Sequence, residues 1–363
     1  MRTALVTVLA VAAALAGLLA QANSSALTIY FIDTEGGQST LFVAPGGESL
    51  LVDTGNPGER DLGRIIETLG TAGVKQIDHL WITHYHGDHV GSLLALAKQV
   101  PVMRFYDHGA PHPNDRIVQA AFLTAYEALS RGKRTTVKPG DKLRVPGLDI
   151  TTVASASQNI RTNLPGGGGA NAACAGVTPK DESAYIDADN GESAGFVLAY
   201  GRFRTIDLGD LTWNGELDLM CPTNRLGTVD LYLTSHHGLE RSGAPALVHA
   251  LRPRVAVMNN GTRKGGTPGA FRVLHESPGL EDLWQLHWSY NAGLDNAPAL
   301  FVANVDEPAT VATVLTAPAP TGRGGGPAAA HSPAYLLKVT ARQDGRFSVT
   351  NTRNGFSKTY PPR

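Results

Sequence analysis

The sequence feature that most constrains this chain is the segment from residue 79 to residue 89, which holds four of the 12 histidines. Its second half reads Thr83-His84-Tyr85-His86-Gly87-Asp88-His89. Imidazole and carboxylate are the ligands that a catalytic ion of the Zn²⁺ class prefers. The pattern His-x-His-x-Asp-His is too compact for one tetrahedral ion to use every member. We therefore predict two adjacent metal ions at this segment.

The flanking residues predict where this segment lies in a fold. Residues 77–83 are apolar and β-prone, which predicts a buried strand, and residues 90–98 are typical of the start of a helix. The histidines would then lie on a strand-to-helix loop at the carboxyl edge of a sheet, where α/β folds generally place active sites.

Two simpler interpretations compete with a catalytic metal site: a solvated loop and a structural zinc site. Structural zinc sites usually use cysteine and close all four coordination positions. The chain has only Cys174 and Cys221, and both are far from the cluster in sequence. The pattern therefore favours a catalytic type of site.

The first residues have the features of a secretory signal peptide. One arginine precedes a run from residue 4 to 20 that is almost entirely Ala, Leu and Val. Ala20-Gln21-Ala22 then forms a small-x-small cleavage pattern. We predict a signal peptide at 1–22 and a secreted or periplasmic protein; a retained membrane anchor is the alternative. No later segment approaches the roughly 18 uninterrupted apolar residues of a membrane span. In an oxidising compartment Cys174 and Cys221 can pair, but two cysteines give no pattern that decides whether they do.

Length and charge limit the remaining possibilities. We predict one large α/β domain at 23–315, a Pro/Ala/Gly-rich linker at 316–334, and a C-terminal β-hairpin at 335–363 that docks on the main domain. The 31 Lys and Arg balance 32 Asp and Glu, which argues against strong non-specific attraction to nucleic acid. The expected substrate is a small molecule or a polymer.

Three predicted strands end in residues that can bind a metal ion. The first provides the histidines and the carboxylate of residues 84–89, the second ends at Asp210, and the third ends at His236 and His237. A carboxylate can bridge two cations while imidazoles fill other positions, and two metals about 3.5–4 Å apart can lower the pKa of a shared water towards ~7. Asp88 and Asp210 are the predicted catalytic carboxylates.

Several segments resemble a known family. Residues 84–89 match the first metal motif of metallo-beta-lactamase-fold hydrolases, and the chain is most similar to their ComEC-like (competence protein) branch. Residues 33–41 resemble that branch's opening Asp-Val-Gly-Gln-Gly-Asp-Ser run, with three departures. Residues 51–55, 196–210 and 235–238 resemble its later strand ends.

The resemblance implies an αββα sandwich with a dimetal site at one edge, usually zinc and sometimes manganese or iron. His84 and His86 would hold one ion, and Asp88 and His89 the other. Asp210 would bridge the two ions. Either His236 or His237 would complete the second set.

The sequence also departs from the family pattern. Many members carry a further ligand histidine before the bridging aspartate, and the expected place, residues 153–155, has none. Residues 265–268 read Gly-Gly-Thr-Pro where the branch tends to have Gly-His-Pro.

Other polar and aromatic residues have weaker signals. Asp53 could orient a ligand histidine or form a turn. His79 is interpreted as a packed core residue. A further set could line a pocket or be ordinary loop and helix residues: His108, His112, Asn260 and His287. Three tryptophans are predicted to lie in the core: Trp81, Trp284 and Trp288.

Three functions remain open from the sequence. The first is metal-dependent hydrolysis of phosphoester or phosphodiester bonds, which the ComEC resemblance favours. The second is hydrolysis of a beta-lactam or lactone. The third is a non-catalytic binding module that retains a metal.

Overall fold

The computed structural model describes residues 26–292, 295–305 and 333–363. The predicted signal peptide at 1–22 lies outside the described residues, as does nearly all of the predicted linker at 316–334. No helix in these three ranges has the length and apolar character needed to span a membrane.

The described strands number twenty. In chain order they are β1 (Leu27–Phe31), β2 (Thr40–Val43), β3 (Ser49–Val52), β4 (His79–Trp81), β5 (Phe105–Asp107), β6 (Arg134–Thr136), β7 (Lys142–Val145), β8 (Leu148–Ser155), β9 (Gln158–Asn159), β10 (Gly169–Ala170), β11 (Gly195–Tyr200), β12 (Phe203–Asp207), β13 (Thr223–Asn224), β14 (Leu231–Leu233), β15 (Val255–Met258), β16 (Asp282–His287), β17 (Val302–Asn304), β18 (Leu337–Ala341), β19 (Phe347–Asn351) and β20 (Ser357–Tyr360).

Helices occupy the connections between many of these strands. They are α1 (Glu59–Thr71), α2 (Gly87–Val90), α3 (Leu93–Leu96), α4 (Ala120–Ser130), α5 (Trp213–Met220), α6 (Pro245–Leu251) and α7 (Pro268–His275). Four 3₁₀ turns cover Ala172–Cys174, Ala188–Glu192, Ser235–Gly238 and Ala299–Phe301.

The strands form two large sheets. The first has the order β20-β19-β18-β1-β2-β3-β4-β5-β6, and its strands are parallel from β3 to β6. The second has the order β17-β16-β15-β14-β12-β11-β8-β7, and it is parallel from β12 to β17. Parallel strands place their carboxyl ends at one edge, so polar residues after β3, β4, β12 and β14 can meet there.

The two sheets pack face to face. Phe196 of the second sheet contacts Phe42 and Trp81 of the first, with ring centroids 6.0 and 5.1 Å apart. The outer face of the first sheet packs on α1, α3 and α4, and the outer face of the second packs on α5, α6 and α7. These four layers confirm the predicted αββα fold.

The C-terminal hairpin is part of the first sheet. Strand β18 is antiparallel to β1, with Ile29 opposite Val339, and β19 pairs with β18. A third strand, β20, extends the sheet further, and its Tyr360 hydroxyl accepts a 3.0 Å hydrogen bond from Trp284 Nε1 of the other sheet. The hairpin was predicted, but β20 was not.

The sequence pattern predicts one helix over about residues 114–130 and another over about residues 279–288, and both differ from the structure. The helix predicted at 279–288 is wrong: residues 282–287 form β16, which lies between two parallel strands. Both its faces are buried, so it lacks the alternation that identifies a strand. The helix predicted at 114–130 begins only at residue 120, because Asp115 Oδ1 accepts hydrogen bonds from the backbone N–H groups of Ile117 and Val118 and forms a turn.

Cys174 and Cys221 form a disulfide with a Cα–Cα distance of 5.9 Å. This bond joins the long segment after β9 to the end of α5. Residues 158–189 are poor in apolar periodicity, which predicts a long loop. In the structure they contain two short strands and a 3₁₀ turn, and a second such turn ends the segment.

Candidate metal centre

Four chain segments converge at the carboxyl edge of the two sheets. The loop after β4 provides His84, His86, Asp88 and His89, and the end of β12 leads to Asp210. The 3₁₀ turn after β14 provides His236 and His237, and Asp53 follows β3. Backbone hydrogen bonds join these loops directly, since Thr54 N donates to His89 O and His236 N donates to Gly209 O.

Asp210 lies at the centre of the cluster. Its Oδ2 is 3.3 Å from His89 Nε2, 3.4 Å from His236 Nε2 and 3.5 Å from His237 Nε2. His84 Nε2 is 4.0 Å from the same oxygen. One carboxylate oxygen therefore faces four imidazole nitrogens, which is the arrangement expected of a bridging ligand.

Asp88, His89 and His237 form a compact group with Asp210. Asp88 Oδ2 is 3.5 Å from His89 Nε2 and 3.4 Å from His237 Nε2, and the two Nε2 atoms are 3.3 Å apart. Potential ligand atoms of all four residues lie within 4.8 Å of one another. The sequence left open which histidine of the pair joins this set; His237 is the one beside both carboxylates.

His84 and His86 form the other part of the cluster. His84 Nε2 is 2.9 Å from His86 Nδ1, and the opposite nitrogen of His86 is 2.9 Å from Asp115 Oδ2. All seven residues predicted as metal ligands are thus brought to one place.

An unusual backbone conformation allows both adjacent histidines to face Asp210. His236 and His237 have φ of 53° and 56°, the left-handed region that costs a non-glycine residue roughly 1–3 kcal/mol. The surrounding chain fixes this conformation, since Gly266 N donates to His237 O. Gly238 also has positive φ, and a Cβ there would lie 2.8 Å from Met258 Sδ.

Asp53 forms a hydrogen bond with the ring nitrogen of His89 that faces away from Asp88 and Asp210. Its Oδ2 is 2.7 Å from His89 Nδ1, and the carboxylate also accepts hydrogen bonds from the backbone N–H and the hydroxyl of Thr83 at 2.9 and 2.6 Å. Because Nδ1 of His89 donates to Asp53, its Nε2 is the nitrogen that faces Asp88 and Asp210. Of the two roles considered for Asp53, this geometry matches the orientation of a ligand.

The electrostatics of the cluster depend on these contacts. Burial lowers the pKa of His89, but the carboxylates of Asp210, Asp88 and Asp53 together raise it well above its usual value. Burial raises the pKa of Asp88, yet the ammonium of Lys264, in direct contact with Oδ2, and the nearby imidazoles bring it well below its usual range. Burial lowers the pKa of His236 to about 4.

The donors present suit divalent metal ions. A His89 that bound a cation would be neutral, with the lone pair of Nε2 directed between two carboxylates. Asp210 Oδ1 and His237 Nδ1 are buried and have no hydrogen-bond partner among the described residues. Imidazole and carboxylate donors fit Zn²⁺, Mn²⁺ or Fe and do not select one of them.

The weaker candidate residues have protein partners in the structure. His79 is buried, with Nε2 2.7 Å from Glu48 Oε1, as expected of a core residue. His108 lies 3.3 Å from Asp189, and His112 lies 3.9 Å from Glu192. The remaining contacts are those of Asn260, which donates to His287 O, and of His287, which is 2.6 Å from Asp33. Trp81 and Trp284 are buried, and Trp288 is half-buried.

Three residues at the centre were not found by the sequence reasoning. Lys264 contacts Asp88, Asp115 contacts His86, and Asp189 contacts the backbone of Tyr85. A signal existed for Lys264, which follows Arg263 in a glycine-rich loop after a buried strand. The sequence around Asp115 and Asp189 indicates only local turns.

Comparison with known proteins shows which protein families this chain resembles. A family profile described as "Metallo-beta-lactamase superfamily" matches residues 33–153. The UPF0173 metal-dependent hydrolase of Cupriavidus necator is 26% identical over 247 residues, which cover 66% of this chain and 76% of the relative. The lactamase-like protein notP of an Aspergillus species is 42% identical over 111 residues, covering 30% of this chain and 34% of that protein.

A solved structure with a similar fold is the metallo-beta-lactamase fold protein YhfI of Bacillus subtilis. It has a TM-score of 0.45 and 13% identity, and the match covers 72% of this chain and 96% of that one.

The chain has the metallo-beta-lactamase superfamily fold, and its homologues include proteins named metal-dependent hydrolases. The predicted αββα fold is confirmed, and the matched profile and relatives agree with the predicted metallo-beta-lactamase resemblance and with a metal-dependent hydrolase. The ComEC-like branch is not confirmed.

Proposed function

We propose that this protein is an exported hydrolase that uses two metal ions to cleave phosphoester or phosphodiester bonds with water. The observation that carries the proposal is the position of Asp210 Oδ2, 3.3 to 4.0 Å from four imidazole nitrogens. A bridging carboxylate of this kind is what two adjacent cations require.

The residues divide into two ligand sets. Asp88, His89 and His237 would hold one ion, and His84 and His86 the other, with Asp210 shared. His236 faces Asp210 and would supply the imidazole that the chain lacks at residues 153–155. Zinc is the proposed metal, with manganese and iron as alternatives. When bound, two such ions lower the pKa of a shared water towards ~7 and stabilise the attacking and leaving oxygens.

The chain's own groups would handle charge and protons around the reacting bond. Interactions with Lys264 and the imidazoles keep Asp88 ionised, so it would act as an anionic ligand and accept a hydrogen bond from a bound water. The Lys264 side chain is 23% exposed and the Asp88 side chain 13%, so both can reach a substrate from solvent. An ammonium at this place favours an anionic substrate such as a phosphate ester.

Hydrolysis of a beta-lactam or lactone is the second candidate. The similarity to a protein named lactamase-like over 111 residues supports it. Purified mature protein should be assayed with a chromogenic phosphodiester, a chromogenic cephalosporin and a neutral lactone under one set of conditions. Cleavage of the phosphodiester at the highest kcat/KM supports the proposal, and preference for the cephalosporin or the lactone contradicts it.

A non-catalytic module that retains a metal is the third candidate. It predicts bound metal without hydrolysis of any ester or amide substrate. Metal content and hydrolytic rates, measured before and after chelation and again after metal is restored, separate this candidate from both enzymes.

Export is supported by two features of the chain. Residues 1–22 have the signal-peptide pattern, and Cys174 and Cys221 form a disulfide, a bond that persists mainly in oxidising compartments. The substrate would then be a small molecule or polymer met outside the cytoplasm; the balance of charges does not support nucleic acid. Cell fractionation and sequencing of the mature N-terminus test this. A full-length chain retained in the cytoplasm would contradict it.

A further inference from the structure

We propose that two buried carboxylates outside the metal motifs, Asp115 and Asp189, position the ligand His86. The segment from residue 156 to 192 would then be a necessary part of the metal centre rather than a cover over it. This inference rests on the metal centre of the proposed function, but it does not depend on which bond the protein hydrolyses.

Asp115 fixes the ring of His86. Its Oδ2 is 2.9 Å from His86 Nε2, and the two side chains are 1% and 6% exposed. The Oδ1 atom accepts hydrogen bonds from the backbone N–H groups of Ile117 and Val118 at 2.7 and 2.8 Å. Because these donors favour an ionised Asp115, Nε2 of His86 carries a proton and donates it. The lone pair of His86 is then on Nδ1, which lies 2.9 Å from His84 Nε2.

Asp189 fixes both Asp115 and the backbone between the two ligands. Its N–H donates to Asp115 Oδ2 at 2.8 Å. Its carboxylate accepts hydrogen bonds from Tyr85 N at 2.9 Å and from His112 N at 2.8 Å. Tyr85 lies between His84 and His86 in the chain, so one aspartate restrains the peptide that joins two ligands. Asp189 is fully buried, which makes these charge-assisted bonds strong.

The segment that carries Asp189 is itself held at several points. The disulfide holds Cys174, and Asp187 makes two hydrogen bonds of 2.6 Å with Arg241. The guanidinium of Arg241 also lies 3.6 Å from the ring centroid of Tyr185. Arg241 is in the loop that follows His236 and His237. The segment therefore connects the loop of the first metal motif to the loop of the last.

These contacts predict a selective effect on metal binding. Carboxylates that orient ligand histidines typically contribute 10–100-fold to metal affinity. An asparagine at residue 115 can direct its NH₂ group at His86 Nε2, which moves the ring proton to Nδ1 and removes the lone pair there. The ion held by His84 and His86 should weaken, while the ion held by Asp88, His89 and His237 should stay.

The experiment compares full-length mature wild type with Asp115→Asn and Asp189→Asn. Zinc per chain is measured by mass spectrometry after dialysis, and each site's affinity is measured by competition with a chelator. Asp181→Asn is the matched control, because Asp181 is an exposed carboxylate on the same segment whose hydrogen bonds, among the described residues, go to Ser183. Circular dichroism and thermal unfolding show whether each variant folds.

We expect two zinc ions in wild type and in the control, and about one in Asp115→Asn, with 10–100-fold weaker binding at the affected site. The tautomer of His86, measured by ¹⁵N NMR of the zinc-loaded protein, should change in Asp115→Asn, and Asp115→Glu should restore part of the affinity.

If Asp115→Asn does not fold, Asp189→Asn provides the same comparison. Variants with two ions at wild-type affinity overturn the inference, as does a wild type without metal. A wild type that binds two ions and hydrolyses no phosphoester contradicts only the proposed function.

Discussion

Asp53 Oδ2 lies 2.7 Å from Nδ1 of His89, behind the nitrogen that faces Asp88 and Asp210. The ring of His89 is therefore held by a carboxylate from an adjacent strand end. Asp53→Asn keeps the size of the side chain but offers an NH₂ group to Nδ1. We expect metal affinity to fall about 10–100-fold, because the ring proton moves to the ligand nitrogen. Chelator competition measures this, and Asp78→Asn, at the other end of the parallel strand β4, should leave affinity unchanged.

Asp88 and Asp210 should differ in how many ions depend on them. Asp88→Ala removes a donor from one ligand set and should leave about one ion per chain. Asp210→Ala removes the shared carboxylate and should weaken both ions. Both substitutions should lower kcat/KM by about 10³-fold or more. Metal analysis of the two variants side by side tests the difference, and equal loss of metal in both would contradict a bridging role.

Lys264 should act on substrate binding more than on turnover. Its ammonium contacts Asp88 and is partly exposed, so Lys264→Met should raise KM for a phosphodiester about 10-fold, as expected for loss of one hydrogen bond to a charged group. The kcat value and the hydrolysis of any neutral ester should change little. The neighbouring exposed Arg263 provides the control, and an equal effect of Arg263→Met would show that only general positive charge matters.

Glu216 should make stability depend on pH. Burial raises the pKa of its carboxyl from the ordinary value of 4.5 to about 7, although the backbone N–H groups of Ala244 and Gly243 favour the ionised form. Since the folded-state pKa is the higher one, the stabilisation is complete below pH about 4.5 and is lost as pH rises to about 7.

The free energy of unfolding of wild type should therefore fall relative to Glu216→Gln by up to about 3 kcal/mol across that interval. Urea unfolding at a series of pH values measures the difference. A wild type that gains stability relative to Glu216→Gln with rising pH would contradict the predicted sign.

The disulfide should stabilise the folded protein by restricting the conformations of the unfolded chain. Cys174 and Cys221 are 47 residues apart, for which the chain-entropy relation gives about 4 kcal/mol. Replacing both by serine should lower the free energy of unfolding in urea by that order. If the segment of Asp189 depends on this bond for its position, the double variant should also bind zinc more weakly.

The residues that meet at the candidate metal centre could be picked out because their sequence signals are local. His84 to His89 occupy six consecutive positions, and Asp210, His236 and His237 each follow an apolar strand. Parallel strands place such positions at one edge whatever the details of packing. The roles of His236 and His237 were not predictable, because they depend on two adjacent left-handed φ angles that the sequence does not signal.

The supporting carboxylates lay beyond sequence reasoning for a different reason. Asp189 bonds to a residue 104 positions away, and Asp115 bonds to one 29 positions away. Contacts between residues so far apart leave no repeating pattern in the sequence. The error at β16 has a related cause, since Gln285 and His287 are buried with the apolar residues, and the segment shows neither the alternation nor the apolar run of a strand.

The pairing of β1 with β18 has a consequence for how the molecule is made. Ile29 and Val339 lie opposite each other, so β1 receives this partner only after the long stretch of chain between the two strands has been synthesised. Until then one side of β1 exposes unpaired backbone groups, which can pair with another chain. A cell that makes this protein must keep the nascent polypeptide from aggregating throughout that interval, and a version truncated before residue 337 would keep that exposed edge permanently.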